Sequence, residues 1–277
     1  MIHTGSKSQP KAVAVIPARY SSTRLPGKPL LDIAGKPLVV WVAERARAAS
    51  SISRTIVATD DPRIVDAASA AGFDAVITRS DHLSGTDRIA EVAHNLSADI
   101  IVNVQGDEPL IDPETINRAV NALIEDPNAQ MSTTWEAITD AGDLSNPSVV
   151  KVTFDENGYA TGFSRTPNRL NNSDPKSDST GSSPDASGLL NTFRKHTGLY
   201  AYRRDFLLKF ARWPASESET RESLEQLRAL DRGVRIKVVE AASPSIGVDT
   251  PEDLERVRAM MSGPAPDYDQ TEAVARP

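Results

Sequence analysis

The sequence predicts an α/β fold with a mostly parallel central sheet flanked by helices. Three observations predict it. Short apolar runs, AVAVI from Ala12, TIVA from Thr55 and IIVNV from Ile100, have the length and Val/Ile content of strands buried on both faces. Amphipathic stretches of helical period lie between them. Strands alternating with helices at this spacing make right-handed βαβ units and a parallel sheet. The 277 residues suffice for one large domain, or one with a small lobe.

Taken in order, residues 1 to about 11 read as a disordered tail. AVAVI is a strand that stops at Pro17, and a loop punctuated by Pro26, Gly27 and Pro29 follows. From Pro37 a helix places Leu38, Val39, Val42 and Ala46 on one face. TIVA, from Thr55, precedes a helix with Asp61 as N-cap and Pro62 at its first position, running to Gly72. DAVIT is a third strand, and SDHLSGTDR a polar loop into a helix that Thr86 would cap. IIVNV ends at Gln105-Gly106-Asp107-Glu108-Pro109; a helix over Thr115 to Ile124 and a strand near Met131 to Trp135 follow. Val149 to Phe154 and Tyr159 to Phe163, joined through Asn157-Gly158, read as a β-hairpin. Residues 166–190 are dominated by Ser, Asp, Asn and Pro and predict a mobile loop. A strand from Thr197, helices over Asp205 to Phe210 and Glu219 to Leu230, and a strand over Val234 to Val239 come next. Thr250 and Pro251 open a closing helix, and residues 263–277 form a second tail.

Composition removes several function classes. The net charge of −7 argues against a nucleic-acid surface, which needs a basic face. The absence of cysteine excludes disulfides and thiolate metal sites. No apolar run is long enough to span a bilayer, and the first residues lack the apolar segment of a secretory signal, so a cytoplasmic enzyme with no membrane partner is expected.

Positive charge is instead gathered at Arg19, Arg24 and Lys28, in the loop after the first strand. Ligands of open α/β sheets bind beyond the carboxyl ends of the strands, and three cations this close repel one another unless an anion joins them. The segment is not a Walker loop, because Ser22 stands at its first Gly position and Pro29 follows Lys28. No G-x-G-x-x-G follows the first strand either. Asp107, after the most apolar strand, and Asp249, after another strand and a Gly, are candidate Mg²⁺ ligands; Asp107 reads equally as a turn or cap residue. Gly106 would let a ligand approach the backbone.

The runs PARYSSTRLPGKPL, SDHLSGTDR, NVQGDEPLI, GFSR, HTGLYAYR, SLEQLR and GVDTPEDLERVR resemble, in this order, the 3-deoxy-manno-octulosonate cytidylyltransferase family, the CMP-Kdo synthetases. The resemblance spans about Val13 to Met260. Sialic acid cytidylyltransferases share the Pro-Ala-Arg opening but continue with a Gly-Ser-Lys type of loop, which this chain lacks. The resemblance implies a Rossmann-like nucleotide-diphospho-sugar transferase fold, with a smaller β-rich lobe at about 150–215 through which the family forms homodimers. It implies transfer of CMP from CTP to the anomeric hydroxyl of Kdo, releasing pyrophosphate, with Mg²⁺ on Asp107 and Asp249. Arg19, Arg24 and Lys28 match the triphosphate loop, Lys28 lying nearest the α-phosphate. Ala18, Ser84, Gly85, Arg88 and Gln105 match positions around the cytosine and ribose. Arg165, His196, Tyr200, Glu225 and Gln226 match the Kdo pocket, a guanidinium being suited to the sugar carboxylate. The chain departs from the family after Arg165, where Thr166-Pro167-Asn168-Arg169 and the polar insert replace an Ile-Pro segment and a shorter loop. Alternative readings are a synthetase for a related ulosonic acid such as 8-amino-Kdo, or a nucleotide-binding module without turnover.

Overall fold

A computed structural model describes residues 10–21, 24–167, 170 and 192–262. Strand β1 (Ala12–Ala18) pairs in parallel with β4 (Ile52–Thr59) on one side and β6 (Ile100–Asn103) on the other. β5 (Asp74–Ile77) extends the parallel set beyond β4. On the other flank β10 (Arg194–Arg203) runs antiparallel between β6 and β7 (Met131–Ala137), and β11 (Ile236–Glu240) closes the sheet parallel to β7. The order is β11-β7-β10-β6-β1-β4-β5. Two-residue strands β2 (Asp32–Ile33) and β3 (Lys36–Pro37) form a separate ribbon.

Helices cover both faces because alternate strand residues point to opposite sides. Ala12, Ala14 and Ile16 pack on one side with α1 (Leu38–Ala48), α2 (Pro62–Ala70) and α4 (Pro113–Glu125). Val13, Val15 and Ile101 pack on the other with α3 (Gly85–His94). Short α5 (Ala141–Ser145) lies outside these layers, over Ile138 and Phe193. Asp61 caps α2 as the sequence predicts, accepting a bond from Arg63 N.

Several expectations need correction. β1 does not stop at Pro17 but continues to Ala18. Val15 O accepts from Val104 N on the β6 side, so the alternation of strand bonding turns Pro17 to that side too. Pairing with β6 has ended there, and the missing N–H breaks no ladder bond. The cap of α3 is Ser84, not Thr86: Ser84 Oγ accepts from Asp87 N at 3.1 Å while the Asp87 side chain accepts from Ser84 N. The helix expected over Glu219 to Leu230 is broken. After α6 (Arg204–Phe210) come α7 (Glu217–Glu222), a left-handed Ser223 with φ 54°, and then α8 (Leu227–Leu230). Leu224 and Leu227 are still buried on the sheet.

Lys11, assigned to the first tail, is tied in: its carbonyl accepts from Asp99 N and Ile100 N, and its own N–H donates to the Asp99 carboxylate. Residues 1–9 and 263–277 lie outside the described residues. The hairpin of β8 (Lys151–Phe154) and β9 (Ala160–Ser164) joins the central sheet through β8 and β10, so the β-rich region shares a strand with the main sheet. Of the expected loop at 166–190 only Thr166, Pro167 and Leu170 are described; Leu170 packs against Ile138, Leu144 and Phe193. The closing helix α9 (Pro251–Ser262) starts as predicted, Thr250 Oγ1 accepting from Asp253 N at 3.2 Å.

Candidate active site

The loop after β1 folds back on the crevice at the carboxyl ends of β1 and β6. Gly27 N donates to Tyr20 O at 3.1 Å, and the Arg63 guanidinium stacks 3.5 Å over the Tyr20 ring. Gly27 adopts φ 68°, and a Cβ there would stand 3.2 Å from that ring. Leu25 and Pro29 are buried, and Lys28 opens a 3-10 turn over Lys28–Leu30. The buried anchors leave the three cations on the outside of the loop.

Lys28 is the centre of the arrangement. Its ammonium donates to Asp107 Oδ2 at 2.7 Å and to Asp249 Oδ1 at 3.2 Å. Arg24 donates to the same Asp249 oxygen at 3.2 Å. These groups border a cavity of about 420 Å³, shared with Ala18, Arg19, Gly85, Arg88 and Gln105. The predicted convergence of a basic loop and two distant aspartates is therefore present. Both carboxylates lie within hydrogen-bond reach of one ammonium, so they point at a single locus. Among the described residues no cluster of three or more His, Cys, Asp or Glu side chains is built to hold a metal ion. Two carboxylates fit a hard ion that takes its remaining oxygens from substrate phosphates and water.

Backbone contacts set this locus. A Cβ on Gly106 would stand 2.6 Å from Pro17 O, so the glycine is required by the packing of the β6 end on the β1 end, whatever a ligand needs. Val248 N donates to Asp107 O at 2.8 Å, which brings the segment carrying Asp249 alongside.

Farther from the loop cations, Arg88 lines the cavity although its residue is fully buried. It is held by Asp60 Oδ2 at 2.8 Å and by Thr78 Oγ1. Gln105 Nε2 donates to Gly198 O at 3.0 Å, and a Cβ on Gly198 would come within 3.2 Å of Gln105 Cγ. Ser84 does not line the cavity; it caps α3, and its hydroxyl also donates to Glu225 Oε1 at 3.0 Å.

The residues assigned to the sugar lie outside that cavity, on the α3 face of the sheet. The His196 ring sits 5.1 Å from Phe163 and 5.5 Å from Tyr200. Burial holds the His196 imidazole down to about 3, so it is neutral and pairs with Thr133 Oγ1 at 2.8 Å. Burial, and then the Glu225 carboxylate, push the Tyr200 hydroxyl up. Glu225 is engaged by Ser84, Thr86 and Arg228, and burial raises its carboxyl above the ordinary range against the pull of those partners. Arg165 spends its donors on the carbonyls of Glu222, Pro147 and Ser223. Gln226 is buried at the bend between α7 and α8.

The cytidylyltransferase family model matches residues 13–236. A 3-deoxy-manno-octulosonate cytidylyltransferase of Trichlorobacter lovleyi is 51% identical over 252 residues, covering 90% of this chain and 98% of that protein. The protein of the same name from Geobacter sulfurreducens is 52% identical over 247 residues, covering 88% and 96%. The chain belongs to the 3-deoxy-manno-octulosonate cytidylyltransferase family. A solved structure of CMP:2-keto-3-deoxy-manno-octonic acid synthetase complexed with CTP aligns with a TM-score of 0.79 at 45% identity, covering 91% of this chain and 98% of that one.

Reading the sequence missed the residues that brace the site. Asp60 and Thr78, which hold Arg88, carry no local signal, because the contacts span 28 and 10 positions. Glu222, whose carboxylate accepts from Ser164 Oγ at 3.1 Å and Arg165 N at 3.2 Å, lies within the helix expected over Glu219 to Leu230 with nothing local to single it out. The residue one before it, Arg221, is exposed, and no periodicity distinguishes the two.

Proposed function

We propose that the chain transfers the CMP group of CTP to the anomeric hydroxyl of Kdo, giving CMP-Kdo and pyrophosphate. The observation that carries this is the single ammonium of Lys28 held between Asp107 and Asp249, in a cavity bordered by Arg19 and Arg24. In that reaction the sugar oxygen bonds to the α-phosphorus while the bond to the pyrophosphate oxygen breaks. Negative charge grows on the leaving group, and fixed cations aimed at it lower the barrier. Lys28 supplies one such cation nearest the carboxylates; Arg24 and Arg19 supply others toward the mouth.

Asp107 and Asp249 would hold Mg²⁺, which neutralises phosphate charge and makes the sugar hydroxyl more acidic. Ala18, Gly85, Arg88 and Gln105 would surround the nucleoside. Arg165, His196, Tyr200, Glu225 and Gln226 would form the acceptor side. Of these, Glu225 acts by fixing the α3 cap to the α7–α8 bend, since its two oxygens are already engaged. Among the described residues no helix is long and apolar enough to cross a membrane. The same reading makes the protein a cytoplasmic homodimer, where CTP is supplied; sedimentation of the purified chain checks the assembly.

The deciding experiment is pyrophosphate release from CTP with Mg²⁺ and Kdo, run beside a panel of other ulosonic acids. Release with Kdo above the rest is expected. CTP binding with no release for any acceptor would replace the enzyme reading with a nucleotide-binding module.

A further inference from the structure

Among the described residues, Oδ1 of Asn103 and Nε2 of Gln226 are buried polar atoms without a hydrogen-bond partner. Each residue is only 3% exposed. Asn103 ends β6, and alternation from Ile101 puts its amide on the face where Val13 and Val15 pack. Its cross-strand neighbour on β10 is Tyr200, whose ring packs against His196. Gln226 reaches the same face from the α7–α8 bend, between Leu224 and Leu227 of that core. Asn103 Oδ1 is thus an acceptor stranded beside Tyr200 of the acceptor side.

Leaving such a group unpaired is costly, and folded proteins keep few of them. A leucine at 103 would have the same number of side-chain heavy atoms, in a bulkier form, and no unpaired polar group. The apolar neighbours of Asn103 therefore give no structural reason for an amide. Its position two residues before Gln105 of the nucleotide cavity gives a chemical one.

We propose that Asn103 is a specificity-determining residue for the sugar acid, its Oδ1 accepting a hydrogen bond from a hydroxyl of the substrate. This rests on the sugar-acid transfer reading above. A site that pairs a buried amide with a hydroxyl rejects the analogue lacking it, because the amide is then left stranded.

The test uses the whole chain with CTP, Mg²⁺, Kdo and a set of mono-deoxy Kdo analogues. Wild-type release of pyrophosphate with Kdo is read first; no release with any ulosonic acid overturns the transfer reading, and this assignment falls with it. Given release, wild type should disfavour one analogue by about tenfold or more in kcat/KM. Asn103→Leu should erase that preference and raise the KM for Kdo about tenfold, with the KM for CTP within about twofold. An unchanged KM for Kdo with the preference intact means that the amide holds only a buried water, and overturns the proposal. Should the leucine variant not fold, the wild-type panel still decides: equal turnover of every mono-deoxy analogue overturns it.

Discussion

Replacing Asp107 by asparagine separates the two roles that its carboxylate can have. The change keeps the shape and removes one negative charge. Lys28 loses the charge of its 2.7 Å partner but keeps that of Asp249 at 3.2 Å. The two side chains of the lost pair remain 16% and 29% exposed, so water screens part of the interaction. A pair of this kind is worth about 1 kcal/mol, which for a chain of this size lowers Tm by about 2–4 °C. The expected loss of turnover is larger. Removing one group aimed at developing charge costs about 10²–10³ in kcat, or roughly 3–4 kcal/mol. If Asp107 only steadied Lys28, activity would change by no more than a few fold, because a loss of about 1 kcal/mol leaves nearly every molecule folded. Thermal melting and pyrophosphate release over a titration of Mg²⁺ measure both quantities on one preparation. A kcat within about fivefold of wild type at saturating Mg²⁺ would refute the ion-holding role. A fall in Tm beyond about 10 °C would refute the argument from exposure.

Two further outcomes follow from the same geometry. Gly106→Ala places a Cβ 2.6 Å from Pro17 O, a backbone atom that cannot swing aside, so stability should fall by about 1–3 kcal/mol and turnover should fall with it; a melting temperature equal to wild type would contradict the contact. His196 has its pKa depressed by burial from 6.5 to about 3, so the unfolded chain takes up the proton first as pH falls. Its stabilising share is present above pH 6.5 and is lost toward pH 3. The stability gap between wild type and His196→Gln should therefore narrow in acid, by at most about 2 kcal/mol at pH 5, and a gap that stays constant from pH 8 to pH 5 rules this out.

The parallel half of the fold was legible because its strands are continuous apolar runs and its helices carry strong caps, such as Asp61-Pro62. The break at Ser223 was not. Leu224, Leu227 and Leu230 keep a helical spacing through it, and the left-handed φ falls on a serine rather than a glycine. The bend is imposed by tertiary partners: Glu222 is drawn to Ser164 and Arg165, and Glu225 to Ser84 and Thr86. The α3 cap was misplaced for a related reason. Thr86 is as good a capping residue as Ser84 by propensity, but its hydroxyl is committed to Glu225, 139 positions away. Sequence reading weighs local chemistry and has no access to such a contact.

The same contrast explains why the phosphate end of the site was easier to find than the sugar end. Lys28 and the two aspartates are brought together by backbone packing at strand ends. Pro17 lies on Gly106, and Asp107 O takes the N–H of Val248, so each charged residue follows a strand and a glycine that mark its place along the chain. Substituting any one charge leaves that frame standing, whereas filling Gly106 moves Asp107 away from the end of β1 and hence from Lys28. On the sugar side only His196 and Tyr200, on β10, have a comparable frame. Arg165, Glu225 and Gln226 depend on one bend, and the bend depends on side-chain bonds to β9 and to the α3 cap. A change at Glu225 should therefore disturb the nucleotide wall at Gly85 together with the acceptor side, although Glu225 borders no part of the nucleotide cavity itself.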